Sequence, residues 1–173
     1  MVTDNPQDSP ASGEIWFVCH TRPRREKKFA ALMGSEKFEH YLPLVGSTRQ
    51  YGRQTKHFTK PLFPGYVFAR VPAERKARIY QQELLARAIP VANEAAFLRQ
   101  IESVKAMVAS GYELTVLPLL TRGRRVKVIG GALHGLEGYV DDPANPRGIV
   151  VSVDVLRQGL LVKLPVENLQ ALP

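Results

Sequence analysis

Apolar positions recur along this chain with two periods. Short apolar or aromatic runs at residues 15–20, 38–45, 65–71 and 86–91 predict strands. Pro43 lies inside the second run, which makes that strand an edge or a bulged one. Helical spacing appears between the runs. Thr21 is placed to cap a helix over 24–33, with Pro23 in its first turn, Phe29, Leu32 and Met33 on one face, and Gly34 as its end. Pro72 opens a second helix whose apolar members are Ile79, Tyr80 and Leu84. Asn93 caps a third, in which Phe97, Ile101, Val104 and Val108 form one face and Gly111 is the stop. Residues 46–60 are polar and basic with Gly52 near the middle, as two arms of a long hairpin or protruding loop would be. This order predicts an α+β fold, an antiparallel sheet packed with helices, over residues 14–111. No glycine-rich phosphate loop follows a strand, which argues against a nucleotide-binding α/β fold.

The texture changes toward the C-terminus. Residues 112–120 contain Pro118, lack periodicity and read as a linker. From 121 to 173 short strands alternate with glycine turns. Val126 and Val128 alternate with Arg125 and Lys127, and a valine-rich strand over 148–156 is expected to place Val151, Val153 and Val155 on one side. Residues 157–159 turn the chain and 160–164 return it. Regularly spaced short strands predict a small SH3-like β-barrel. Residues 1–13 are polar and rich in Pro, Ser and Asp, with no signal-peptide pattern, and are expected to be a disordered leader. No apolar run approaches the ~18 residues of a membrane span.

Charge adds a partner class. The net charge is +8, and no Asp or Glu occurs between His40 and Ala73, where Arg49, Arg53, Lys56, Lys60 and Arg70 lie. A sustained positive field favours phosphate backbones; the plainer reading is a solvated basic face. The lone Cys19 fits a reducing cytoplasm and excludes an internal disulfide or a cysteine-based zinc site. The four histidines are scattered over different elements, so no metal site or other cofactor is expected. No group of residues forms a catalytic constellation, and the expectation is a binding protein, not an enzyme.

The stretch 60–70 carries three aromatics, Phe63, Tyr66 and Phe68, behind Pro61, Pro64 and Gly65. They suit either the core or an exposed apolar groove for a partner.

Two segments match a known family. Residues 123–140, GRRVKVIGGALHGLEGYV, look like a KOW motif. Trp16-Phe17-Val18, the run Arg24 to Lys28, Tyr41-Leu42-Pro43-Leu44 and Pro61 to Phe68 resemble the N-terminal domain of NusG, in its order. The chain from about residue 14 to the end resembles a NusG-family transcription elongation or antitermination factor, and its PLFP sequence is closer to the specialised, RfaH-like paralogues. The resemblance implies a monomeric cytoplasmic factor that binds the clamp helices of the largest catalytic subunit of RNA polymerase. The matching depression comprises Trp16 or Phe17, with Phe63, Pro64, Gly65 and Tyr66; Val67 and Phe68 are then core. It also implies contact with the non-template DNA strand, for which Arg24, Arg49, Gln50, Tyr51, Arg53, Gln54, Lys56 and His57 are candidates. The barrel is implied to take ribosomal protein S10 or Rho through Leu133, Leu136, Val155 and Leu156. Leu156 and Gln158 depart from the family's aromatic and basic residues, which puts Rho in doubt. The alternative is a ribosome-associated or RNA-binding KOW protein, which has no use for an exposed aromatic groove.

Overall fold

A computed structural model describes residues 13–118 and 123–173. Most of the expected leader, and residues 119–122 at the expected linker end and barrel start, lie outside the described residues. The chain divides into two compact units, one of residues 1–42 and 64–92, the other of residues 43–63 and 93–173.

The first unit is a four-stranded antiparallel sheet. Strands β1 (Glu14–Thr21), β2 (Glu39–Tyr41), β5 (Tyr66–Pro72) and β6 (Leu85–Pro90) lie in the order β2-β5-β1-β6, with α1 (Glu26–Ser35) between β1 and β2. Side chains alternate across a strand. Phe17 and Cys19 of β1 and Val67, Ala69 and Val71 of β5 therefore share a face, and they pack with Phe29, Leu32 and Met33 of α1 and with Ile79. Trp16, Val18 and His20 point to the other face with Tyr66 and Phe68. Three local expectations are corrected. Thr21 does not cap α1: it is the last residue of β1, and α1 starts at Glu26 without a side-chain cap. The expected strand over 38–45 breaks at Leu42-Pro43 into β2 and β3. The helix expected after Pro72 is a 3-10 segment, Ala73–Glu83, kinked at Gln81 and Gln82, which buries Ile79 and leaves Tyr80 exposed.

Burial in this sheet raises the Cys19 thiol from its usual value near 9.0 to about 12. The native chain is expected to resist alkylation at pH 8 and to be labelled in denaturant. The sign of the stability effect follows from the raised value. The contribution is complete below pH 9, where the unfolded thiol is also protonated, and is lost as pH rises from about 9 toward 12. A thermal-unfolding series over that range reads it.

The second unit holds a hairpin, a helix and a second sheet. Strands β3 (Leu44–Tyr51) and β4 (Gln54–Pro61) pair over their whole length, closed by Gly52 and Arg53, and Leu62 N–H donates to Pro43 C=O at 2.9 Å across the base. Gly52 has φ +62°, as the first position of a two-residue hairpin turn requires. Helix α2 (Glu94–Ala109) is capped as expected, with Ala96 N–H donating to Asn93 Oδ1 at 3.1 Å. Its buried stripe is Phe97, Ile101, Val104 and Met107, with Val108 only partly covered.

Strands β7 (Leu114–Pro118), β8 (Arg125–Val128), β9 (Glu137–Val140), β10 (Gly148–Val153), β11 (Gln158–Lys163) and β12 (Leu169–Ala171) form an antiparallel sheet in the order β12-β8-β9-β10-β11-β7. Two expectations change here. Leu114–Pro118, expected within the linker, pair with β11. The valine-rich strand stops at Val153, all six of its residues are buried, and Asp154–Leu156 form a 3-10 turn closed by Arg157 at φ 51°. Val155 is therefore not a strand residue beside Val151 and Val153. The described chain is thus α+β: a sheet with helices and a separate six-stranded antiparallel sheet. Among the described residues no helix is long and apolar enough to cross a membrane.

Candidate functional site

The stretch from Pro61 to Phe68 turns from the hairpin into β5, and Gly65 is its pivot. Gly65 has φ +87°, a conformation that side chains disfavour. Both of its backbone groups are held. Its N–H donates to Glu26 Oε1 at 2.8 Å, and its carbonyl accepts from Thr21 N–H at 2.8 Å. Glu26 is a buried carboxylate at the start of α1, where the helix dipole also favours an anion. The clamp fixes where β5 begins, and the first side chain after it is Tyr66.

Tyr66 stands opposite His20 in the β1–β5 register. The two rings stack at 4.9 Å between centroids and 17° between planes. His20 and Pro64 are exposed, and Tyr66 and Gly65 are partly so. An accessible aromatic pair therefore ends one face of the sheet. The other expected members of the depression differ. Phe17 is buried among the α1-facing residues, on the face opposite Tyr66, and cannot line a groove with it. Trp16 is on the Tyr66 face but is buried at 5%. Phe63, expected at the surface, is buried at 1%, while Val67 and Phe68 are fully buried as expected. Sequence reading missed His20 and Glu26. His20 was legible only through a cross-strand register, and Glu26 through a contact spanning thirty-nine positions.

A family model described as transcription termination factor nusG matches residues 14–119. The chain belongs to the NusG family. Among solved structures, one titled "Domain interaction in Thermotoga maritima NusG" is 19% identical, covers 92% of this chain and 98% of its own, and has a TM-score of 0.50. A second, of the MjSpt4:Spt5 complex, is 18% identical over 91% of this chain and 97% of its own, with a TM-score of 0.33. No curated protein matches the chain. NusG-family proteins are transcription factors, and the family match spans the whole β5 turn, the hairpin and α2.

Seven of the eight nucleic-acid candidates lie on the hairpin: Arg49, Gln50, Tyr51, Arg53, Gln54, Lys56 and His57, all exposed. Arg24 is exposed in the β1–α1 loop of the other unit, at φ 62°. In the connection between β8 and β9, Leu133 and Leu136 are buried at 3% and 8%. They line a cleft of about 910 Å³ together with Leu98 and Ala106 of α2 and Arg125 and Tyr139. Val155 and Leu156 are half-buried in the turn after β10. Helix α2, expected in the N-terminal domain, packs against β10. Gln100 anchors it by donating to Asp154 Oδ2 at 2.8 Å and accepting from Asp154 N–H at 3.0 Å. Among the described residues no group of three or more His, Cys, Asp or Glu could hold a metal ion.

Proposed function

We propose that this NusG-family chain is a transcription elongation or antitermination factor. Its N-terminal sheet binds the clamp helices of the RNA polymerase largest catalytic subunit and suppresses pausing or termination. Its C-terminal sheet acts as a KOW domain that recruits ribosomal protein S10 or Rho. The PLFP sequence of residues 61–64 supports a specialised, RfaH-like role. The observation that carries the reading is the accessible Tyr66–His20 stack, set by the Gly65 clamp within the family-matched region. Helix recognition needs apolar or aromatic anchors held in place before the partner arrives, and rigid aromatics supply contact area at low entropy cost. Tyr66, His20, Pro64 and Gly65 are the contact residues; Trp16 supports them from within the same face. The exposed basic hairpin is the surface for the non-template DNA strand.

Tyr66→Ala is expected to weaken binding to purified RNA polymerase by about tenfold or more while the circular-dichroism spectrum stays native. A folded variant that binds as tightly as the unaltered chain overturns the contact. A pull-down from native lysate, scored for polymerase, S10 and Rho, separates this role from a ribosomal one: recovery of ribosomes without polymerase favours the RNA-binding alternative.

A further inference from the structure

The ladder between β1 and β6 is irregular at its end. Phe17, Val18, Cys19 and His20 pair in step with Pro90, Ile89, Ala88 and Arg87, and Thr21 then pairs with Leu85. Ala86 is therefore an extra residue, a β-bulge, and Arg22 N–H closes it by donating to Leu84 C=O at 2.8 Å. Side chains alternate along a strand, so Leu85 and Arg87 would share a face in a regular one. The bulge separates them. Leu84 and Leu85 are buried in the cluster on the α1 side, with Ala88 packed against it. Arg87 pairs with His20, on the other face.

That pairing extends the aromatic stack. Tyr66, His20 and Arg87 stand in one row across β5, β1 and β6, about 10 Å from end to end at the usual strand spacing. The next row inward on the same face, Phe68, Val18 and Ile89, is apolar, with Phe68 and Val18 buried. Arg87 is exposed and makes no ion pair among the described residues. The acids of β1, β2 and α1 with its C-cap are engaged elsewhere. Glu14 and Glu39 face Arg70, Glu36 pairs with Arg75, and Glu26 accepts from Gly65 N–H. A bulge has thus taken an arginine off the core face and set it, without a counter-ion, at the end of an aromatic row.

We propose that Arg87 is a specificity-determining residue of the polymerase contact: its guanidinium takes an Asp or Glu carboxylate of the helix whose apolar side chain lies on the Tyr66–His20 stack. A planar guanidinium matches a carboxylate with two parallel hydrogen bonds. A helix lying along the row brings an acid to Arg87 when that acid is one to two turns, about 5–11 Å, from the apolar anchor. A nucleic-acid strand carries a charge about every 3.4 Å and calls for a line of cations. This row has a single Arg or Lys, backed by apolar side chains, and fits one carboxylate. The inference rests on the proposed function for the identity of the helix; the bulge and the row stand on register alone.

The test measures binding of the full chain to purified RNA polymerase. Arg87→Gln is expected to lose about tenfold in affinity and Arg87→Glu about a hundredfold, with Arg87→Lys between Arg87→Gln and the unaltered chain. The loss in Arg87→Glu is expected to be smaller at about 1 M salt than at about 0.1 M, as the screening length falls from about 10 Å to about 3 Å. Arg78→Glu makes the same charge change on an exposed arginine of the 3-10 segment, beside Ile79 of the α1-side cluster, and is expected to change affinity less than threefold. Replacing the acids of the clamp helices one at a time by Lys is expected to yield one polymerase variant that restores binding of Arg87→Glu. Without polymerase, affinity for a single-stranded DNA oligonucleotide is expected to be the same in Arg87→Glu as in the unaltered chain. Circular dichroism confirms that each variant is folded. Unchanged polymerase affinity in folded Arg87→Glu, an equal loss in Arg78→Glu, rescue by none of the polymerase variants, or a matching loss on DNA overturns the proposal. If the unaltered chain does not bind polymerase, or folded Tyr66→Ala binds it normally, the proposed function falls and this inference with it. If Tyr66→Ala loses affinity and Arg87→Glu does not, only this inference falls.

Discussion

Phe63→Ala is expected to cost about 3–5 kcal/mol of folding stability. Phe63 is buried at 1% and is among the largest fully buried side chains. Its truncation removes a ring from a packed interior and leaves a cavity that the neighbours fill only in part. A domain of this size is stable by about 5–15 kcal/mol, and each kcal/mol is worth about 2–4 °C in melting temperature at this length. A drop of about 6–20 °C in a thermal melt is the expected readout. The family resemblance leads to a different expectation, that residue 63 is a surface contact and that its loss spares the fold. A melting temperature within a degree or two of the unaltered chain would restore that view. The contrast with Tyr66→Ala is the useful control: Tyr66 is partly exposed, and its loss is expected to act on binding more than on folding.

Gly148→Ala is expected to destabilise the C-terminal sheet by about 3 kcal/mol, at the upper end of what overpacking usually costs. A Cβ at this position would collide with the Val162 carbonyl oxygen and lie 2.8 Å from Lys163 Cα. Both are backbone atoms of β11, the direct partner of β10, so no flexible side chain can swing aside. The strands must part where Gly148 faces Lys163, at one end of six consecutive pairs. Strand β10 runs between β9 and β11 with all six residues buried, so the strain reaches the middle of the sheet. Faster amide exchange at Ile149 and Lys163 and a lower melting temperature are the measurements. Gly46→Ala is the matched control, since a Cβ there meets nothing within 4 Å. If the two variants melt alike, close backbone approach is not what holds Gly148.

The expectations that succeeded rest on local rules. Asn93 caps α2 because a short polar side chain before an amphipathic run meets the free N–H groups of the first turn. The polar stretch around Gly52 folds as a hairpin because glycine accepts positive φ between two arms of extended residues. Thr21 failed as a cap because β1 needed it. Its N–H donates to Gly65, a tertiary bond that a local capping rule does not weigh. Leu114–Pro118, expected within the linker, form a strand because Thr115 and Val116 find partners in β11, more than forty residues on. Phe63 and Tyr66 were treated alike because both are aromatics behind prolines. Their different exposure depends on where Gly65 turns the chain, and that is set by Glu26 from another element.

By itself, the sequence determined the α+β class, the order of most elements, the acid-free basic hairpin and the family to which the chain belongs. The first three follow from periodicity, turn chemistry or composition, which act over a few residues or over the chain as a whole, and the family follows from the resemblance of its motifs. Only the tertiary structure decided which aromatics are accessible, that His20 stacks on Tyr66, that Trp16 and Phe17 face opposite ways relative to α1, and that Arg87 stands in one row with His20 and Tyr66. Those facts depend on strand register and on partners distant in sequence. A one-residue slip of register would invert every face while leaving the sequence pattern unchanged.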